Sequence, residues 1–215
     1  MTILQSEGIG RRVTNDRWLF RGLNISLNAG DQVALQGASG VGKSTLLNLL
    51  AGLDKPDEGK LFFEGKDYEL MGADERLDLR RVAFGFVFQA FHLMPHLNAL
   101  QNVMVPCLIS GVPFDEAKDR AQTLLSTLGL AAAYEQFPVV LSGGEQQRIA
   151  LARALVHHPK IVLADEPTGN LDPITADLAL ELLCRTCREH NTALVMVTHS
   201  EKAAECLDRR LVLTN

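Results

Sequence analysis

Short apolar runs, each closed by a polar or glycine-rich turn, alternate along this chain with stretches whose apolar residues recur at helical spacing. Val33-Ala34-Leu35-Gln36, Leu61-Phe62-Phe63, the run from Val82 to Phe88, Ile161-Val162-Leu163-Ala164 and Ala193-Leu194-Val195-Met196-Val197-Thr198 read as buried strands. Ahead of them, Ile3-Leu4 and the alternating Leu23, Ile25 and Leu27 predict short strands within residues 1–32, with Asn28-Ala29-Gly30-Asp31 as a turn. Helices are expected from Leu46, Leu47, Leu49 and Leu50, over the charged residues 74–81, from residue 98 to about 130, from Ser142 onward, and over about 174–189. In the long helical stretch Ala117, Ala121, Leu124, Leu125 and Leu128 form one stripe, and Gly129 suits the position just past a helix end. A short helix and the strand Leu211-Val212-Leu213 follow the last buried run. Nearly continuous apolar strands interleaved with helices predict an α/β fold. Its sheet is mainly parallel and covered on both faces, with N-terminal antiparallel strands and a helical insert.

The first strand–helix junction carries the clearest chemistry. Residues 37–44 fit the pattern G-x-x-x-x-G-K-S/T, with Gly37, Gly42, Lys43 and Ser44 at the fixed positions. Glycines let the backbone wrap so that successive N–H groups, from Gly37 through Ser39, Gly40, Val41 and Gly42 to Thr45, point at one anion. The helix that follows adds partial positive charge at its start. Lys43 is expected to reach the β- and γ-phosphates of a bound nucleotide, and the Ser44 hydroxyl to ligate Mg²⁺. A plain glycine turn between strand and helix is the weaker alternative, because the flanking strand and helix are the context the motif requires.

Four polar sites follow four different apolar strands: the phosphate loop, Gln89, Asp165-Glu166 and His199. In parallel sheets ligands bind beyond the carboxyl ends of the strands, so these residues are expected to converge. Mg²⁺ takes oxygen ligands and keeps several waters, which suits Asp165, the Ser44 hydroxyl and the amide oxygen of Gln89. Glu166 is the expected general base or orienter of the attacking water. His199 can donate to the γ-phosphate as charge shifts in the transition state.

Leu141-Ser142-Gly143-Gly144-Glu145 opens a helix with small residues, which either caps that helix or makes a second anion site. A chain that already owns a phosphate cradle has use for a second one if Ser142, Gly143 and Gly144 meet a nucleotide held by another subunit. Cys184-x-x-Cys187 has metal or redox spacing, but Leu180, Leu183, Cys184 and Cys187 share a helical face, which favours core packing. Trp18 and Phe20 are read as hydrophobic cover, with base stacking as the alternative.

Composition narrows the partners. A net charge of −5 gives no general attraction to nucleic acid or anionic lipid. No run approaches the roughly 20 apolar residues that cross a bilayer. The first residues also lack a charged-then-apolar signal pattern. The expectation is a cytoplasmic protein whose membrane role, if any, depends on partners that supply the spans.

These residues in this order resemble the nucleotide-binding subunits of ABC transporters over nearly the whole chain. Residues 37–44 correspond to Walker A and Gln89 to the Q-loop. Residues 141–148 are the signature, 161–166 Walker B, Asn170-Leu171-Asp172 the D-loop and His199 the switch. The resemblance implies one ABC ATPase domain, a P-loop NTPase with a RecA-like core of about residues 1–90 and 158–215 and a helical subdomain of about 91–157. It implies a head-to-tail homodimer closed over two ATPs, each held by Walker A of one chain and by Ser142 and Gly144 of the other. It further implies transmembrane permease subunits, seated in the cleft beside Gln89, and a peripheral place on the cytoplasmic face of the inner membrane. The stretches Gly85-Phe86-Val87-Phe88-Gln89-x-Phe91-x-Leu93-Met94-Pro95 and Ala164-Asp165-Glu166-Pro167-Thr168-Gly169-Asn170-Leu171-Asp172 are similar to the lipoprotein-release, macrolide-export and cell-division branch. One departure stands out: the family's usual adenine-stacking aromatic falls on Val13 or Thr14, with Trp18 as a possible substitute. The rival readings are a soluble ABC ATPase acting on nucleic acid or ribosomes, and a nucleotide-sensing module without turnover. Intact catalytic positions oppose the latter.

Overall fold

The structure is a computed structural model that describes residues 1–14 and 17–214. Two long antiparallel strands, β1 (Thr2–Thr14) and β2 (Arg17–Asn28), form the first hairpin. They are longer than the short strands the sequence predicts. Beyond the apolar ends, pairing is carried through polar residues by contacts that hydropathy does not show. Arg12 opposes Trp18 across the hairpin and lies over its ring at 4.2 Å, and Arg21 lies over the same ring at 4.8 Å. Cation–π contact with guanidinium is therefore what this tryptophan does here. β4 (Glu58–Phe63) and β5 (Lys66–Asp67) complete this sheet in the order β2-β1-β4-β5.

The second sheet is all parallel and has the order β6-β7-β8-β3-β9. It contains β3 (Gln32–Gln36), β6 (Phe84–Phe88), β7 (Ile161–Asp165), β8 (Ala193–Val197) and β9 (Arg209–Val212). Every residue of β8 is buried, as expected of a central strand covered on both faces. One apolar cluster joins the two sheets through α1 (Lys43–Leu50). A second lies on the opposite face under α6 (Pro173–Glu189) and one side of α5 (Gly143–Leu155). A third fills a helical layer of α3 (Ala99–Ile109), α4 (Phe114–Thr127) and the other side of α5. Leu151, Ala154 and Leu155 of α5 belong to the second cluster, whereas Ile149 and Ala152 belong to the third. A helix apolar on two sides ties the layers together. Where it crosses β6, a Cβ on Gly85 would fall 2.1 Å from the Ala154 carbonyl oxygen, so only glycine admits this approach.

Three expected boundaries move. Val82 and Ala83 finish helix α2 (Ala73–Ala83) rather than open the strand, and β6 starts at Phe84. Apolar residues continue across that junction, so hydropathy alone gives no break. Residues 98–130 form two helices, because Gly111 takes φ +80 and Pro113 caps α4. The last strand is Arg209–Val212, with Leu213 just beyond it. A short α7 (Glu201–Glu205) precedes it. Among the described residues no helix is long and apolar enough to cross a membrane.

The cysteines behave as packing residues. Burial pushes the Cys184 thiol up to about 11 and the Cys187 thiol up to about 12, and it also raises Cys107. Only Cys206 is exposed among the four free cysteines. A thiol-reactive chromophore at pH 8 will therefore count one fast thiol in the native protein and release the other three only on unfolding.

Candidate functional site: a phosphate cradle and the row beside it

Strand register builds the site. Phe88, Asp165, Val197 and Leu35 lie in one row across β6, β7, β8 and β3. The residues that follow them, Gln89, Glu166, Thr198-His199 and the phosphate loop, therefore emerge side by side at the carboxyl edge of the sheet. Cross-links hold that edge: the Glu166 N–H donates to the Val197 carbonyl (3.0 Å) and the Thr198 N–H to the Leu35 carbonyl (3.4 Å).

The loop between β3 and α1 turns at Gly42, which occupies the α1 N-cap with φ +102. A Cβ there would also meet Leu19 of β2 at 3.1 Å, so the first sheet backs the loop. Lys43 is buried, and its Nζ donates to the carbonyls of Gly37 (2.9 Å) and Ala38 (3.0 Å). The ammonium thus sits inside the curl of the loop, with one of its three donors left over for an anion. Ser39, Gly40 and Ser44 are exposed on the same turn, with Val41 buried behind them and Thr45 half-buried.

Glu166 has φ +46, which is uncommon for a residue with a Cβ. This turns its carboxylate away from the direction of Asp165 and brings Oε1 within 3.2 Å of His199 Nε2. Gln89 is held differently from expectation. Asn170 Nδ2 donates to the Gln89 backbone carbonyl (2.9 Å), which fixes the Asn170 amide with Oδ1 toward the Gln89 side chain. Gln89 Nε2 donates to that oxygen at 3.3 Å, leaving Gln89 Oε1 free to face a cation. The sequence places Asn170 in a motif without showing this partner.

Arg153 is a second residue that sequence reasoning passes over. From within α5 it donates to the carbonyls of Phe91 (2.6 Å) and His92 (2.5 Å), whose φ values are +59 and +49. It clamps the loop just after Gln89. The only hint in the sequence is an arginine inside an otherwise apolar run, Ile149 to Val156. Between this loop, β6 and α3 lies a cleft of about 330 Å³, lined by Arg80, Arg81, Phe88, His92, Pro106 and Ile109 among others.

Ser142 caps α5, in the helical layer. Its hydroxyl bonds Glu145 Oε2 (2.6 Å), and its N–H bonds the same oxygen (2.8 Å). These donors hold the Glu145 carboxyl below the usual carboxylate range. The bonds therefore stabilise the helix start at neutral pH and fade only as pH falls through the lowered pKa. Among the described residues no hydrogen bond or ion pair joins Ser142, Gly143 or Gly144 to the phosphate loop of the same chain. Asp172 caps α6 in the same way, its carboxyl lowered by bonds from Thr175 and Ile174.

A glycine loop curled around a lysine at the edge of a parallel sheet, beside a row of Gln, Asp, Glu and His, defines a P-loop nucleoside triphosphatase. A model of the ABC transporter family matches residues 20–169. The lipoprotein-releasing system ATP-binding protein LolD of Legionella pneumophila (strain Paris) is 46% identical over 195 residues, covering 91% of this chain and 86% of that protein. The LolD of Xanthomonas campestris pv. campestris (strain 8004) is 45% identical over 214 residues, covering 98% and 90%. Among solved structures, a dimer of the ATP-binding cassette MJ0796 in a post-hydrolysis state with ADP and Pi superposes with a TM-score of 0.86 at 34% identity. That alignment covers 99% of this chain and 94% of the other. The chain belongs to the ABC transporter family, as an ATP-binding subunit that hydrolyses ATP.

Proposed function

We propose that this chain is the ATP-driven motor of a lipoprotein-releasing or related substrate-extruding membrane complex, acting on the cytoplasmic face of the inner membrane. Two copies would close head to tail over two ATPs while gripping transmembrane permease subunits. The observation that carries this reading is the division of anion-binding groups between two layers. The loop around Lys43 sits on the sheet, and Ser142-Gly143-Gly144 opens a helix that no hydrogen bond among the described residues links to it, so a second chain can complete the site. Likeness to proteins named for lipoprotein release supports the substrate class. Nothing in the likenesses points to nucleic acid or ribosomes, and the charge of −5 opposes it.

In this reading Gly37, Ser39, Gly40, Val41, Gly42, Lys43, Ser44 and Thr45 hold the triphosphate. Ser44, Gln89 and Asp165 fit Mg²⁺ because all three offer oxygen, and Asn170 leaves the Gln89 oxygen free. Mg²⁺ at this place supplies charge neutralisation for the β- and γ-phosphate oxygens. Glu166 accepts a proton from the attacking water, and His199 Nε2, which faces that carboxylate, has one N–H to give and turns it to the terminal phosphate as the site fills. Gln89 joins this site to the cleft of about 330 Å³, where an apolar wall and the cations Arg80 and Arg81 suit a short membrane-partner helix. Residues of about 91–157 would then turn as a helical subdomain against the RecA-like core of 1–90 and 158–215.

Purification from detergent-solubilised membranes tests the proposal. The expected result is recovery of membrane-spanning subunits that stimulate phosphate release. Recovery of ribosomes or nucleic acid without any membrane protein would overturn it.

A further inference from the structure

Ser142 has one hydroxyl hydrogen, and Glu145 holds it. Oγ lies 2.6 Å from Glu145 Oε2 and receives the Glu145 N–H at 3.3 Å, so the hydroxyl is engaged both as donor and as acceptor. The Ser142 N–H points at the same carboxylate oxygen, at 2.8 Å. A carboxylate can only accept, and its grip on a donor is roughly twice that of a neutral acceptor. The trans-ATP reading given above asks Ser142 to donate that same hydrogen to the terminal phosphate carried by a second copy of this chain. One hydrogen serves one acceptor well, and the carboxylate adds a like charge beside the incoming phosphate.

We propose that Glu145 is a built-in competitor of the partner-borne γ-phosphate: it occupies the Ser142 hydroxyl and raises the ATP concentration at which two chains close. The inference rests on the reading that Ser142 meets ATP across the dimer. Glu145 acts through Ser142 and is a positioning residue. A glutamine at this place can keep the helix cap, since the capping box accepts either residue. Its amide oxygen, at the place of Oε2, still accepts the Ser142 N–H and hydroxyl, but as a neutral acceptor with roughly half the grip. The hydroxyl hydrogen is then held weakly enough to turn to the phosphate, and the negative charge is gone.

The test uses the full chain in a Glu166→Gln background, so that ATP is retained, and follows dimerisation by sedimentation during ATP titration. Glu145→Gln should lower the ATP concentration at half-dimerisation by about fivefold, the difference between a charged and a neutral hydrogen bond. Monomer affinity for ATP, measured at high dilution, should stay as in the parent, because Ser142 does not touch the ATP of its own chain. Ser142→Ala in the same background reads the underlying site. If it dimerises as readily as the parent, the trans-ATP reading fails and this inference falls with it. If it weakens dimerisation while Glu145→Gln leaves the midpoint unchanged or raises it, the competitor role alone is overturned. Should Glu145→Gln not fold, Glu145→Ala, which removes the acceptor and frees the hydrogen, is read in the same assay. The direction expected and the outcome that overturns the role are the same.

Discussion

Glu166→Gln will bind ATP with the affinity of the parent and release phosphate about 10² to 10⁴ times more slowly, the range that a positioned general base contributes. The substitution is nearly isosteric, so the chain path that matters is kept. The Glu166 N–H still bonds the Val197 carbonyl, and the residue still takes φ +46 between β7 and the turn that follows. What is lost is the carboxylate facing His199 Nε2 at 3.2 Å, the only one whose backbone has been turned out of the strand direction toward that histidine among the described residues of the row. Neighbouring Asp165 cannot replace it, because Asp165 is still a strand residue, paired with Phe88 and Val197. Single-turnover phosphate release, set beside equilibrium binding of a fluorescent ATP analogue, separates the two effects. Turnover within tenfold of the parent would remove Glu166 from the role of base. A left-handed conformation at a residue with a Cβ is strain of order 1–3 kcal/mol that the surrounding bonds must hold. The site therefore has a structural reason to be read as built for this side chain.

Much of this edge is legible in residues alone, for a specific reason. The runs at Val33, Ile161 and Ala193 are buried on both faces, so they stay apolar to the last residue, and the first polar residue after each marks where the strand leaves the core. Convergence of Gln89, Glu166 and His199 then follows from sheet register without any knowledge of side-chain direction. Hydropathy fails where polarity and structure part company. β1 and β2 extend through Arg11, Arg12 and Arg21 because these arginines pair with Asp54, Asp57, Glu58 and the Trp18 ring, which no periodicity shows. The end of α2 is hidden by Val82 and Ala83, apolar residues that lie on the helix side of the boundary. Bonds between distant turns, Asn170 to Gln89 and Arg153 to Phe91 and His92, depend on loops meeting in space, so a linear reading names the residues and misses their partners.

Lys43→Ala will abolish measurable ATP binding while leaving the fold intact. The ammonium is buried in the curl of the loop and bound to the Gly37 and Ala38 carbonyls, so it sets a fixed positive charge inside that loop. A hydrogen bond to a charged group is worth about 1.5–3 kcal/mol, and the one donor Lys43 keeps free of the Gly37 and Ala38 carbonyls can be shared by the β- and γ-phosphates while its charge attracts both, so a loss of about 10²-fold in affinity is expected. Unfolding is the natural objection, since two loop carbonyls lose their partner. It is answered by melting the protein with and without nucleotide. A parent at 100 times its dissociation constant gains about 2.7 kcal/mol from binding, which appears as a raised melting temperature. Lys43→Ala should melt near the ligand-free parent and show no rise with ATP, whereas Lys43→Arg should recover little, because a planar fork does not fit a curl shaped for a point charge. If Lys43→Ala still gains the full shift, the triphosphate is not held by this loop. The row of Gln89, Asp165, Glu166 and His199 would then stand beside an empty turn, with no phosphate for Glu166 to attack through water or for Ser142 of a second chain to meet.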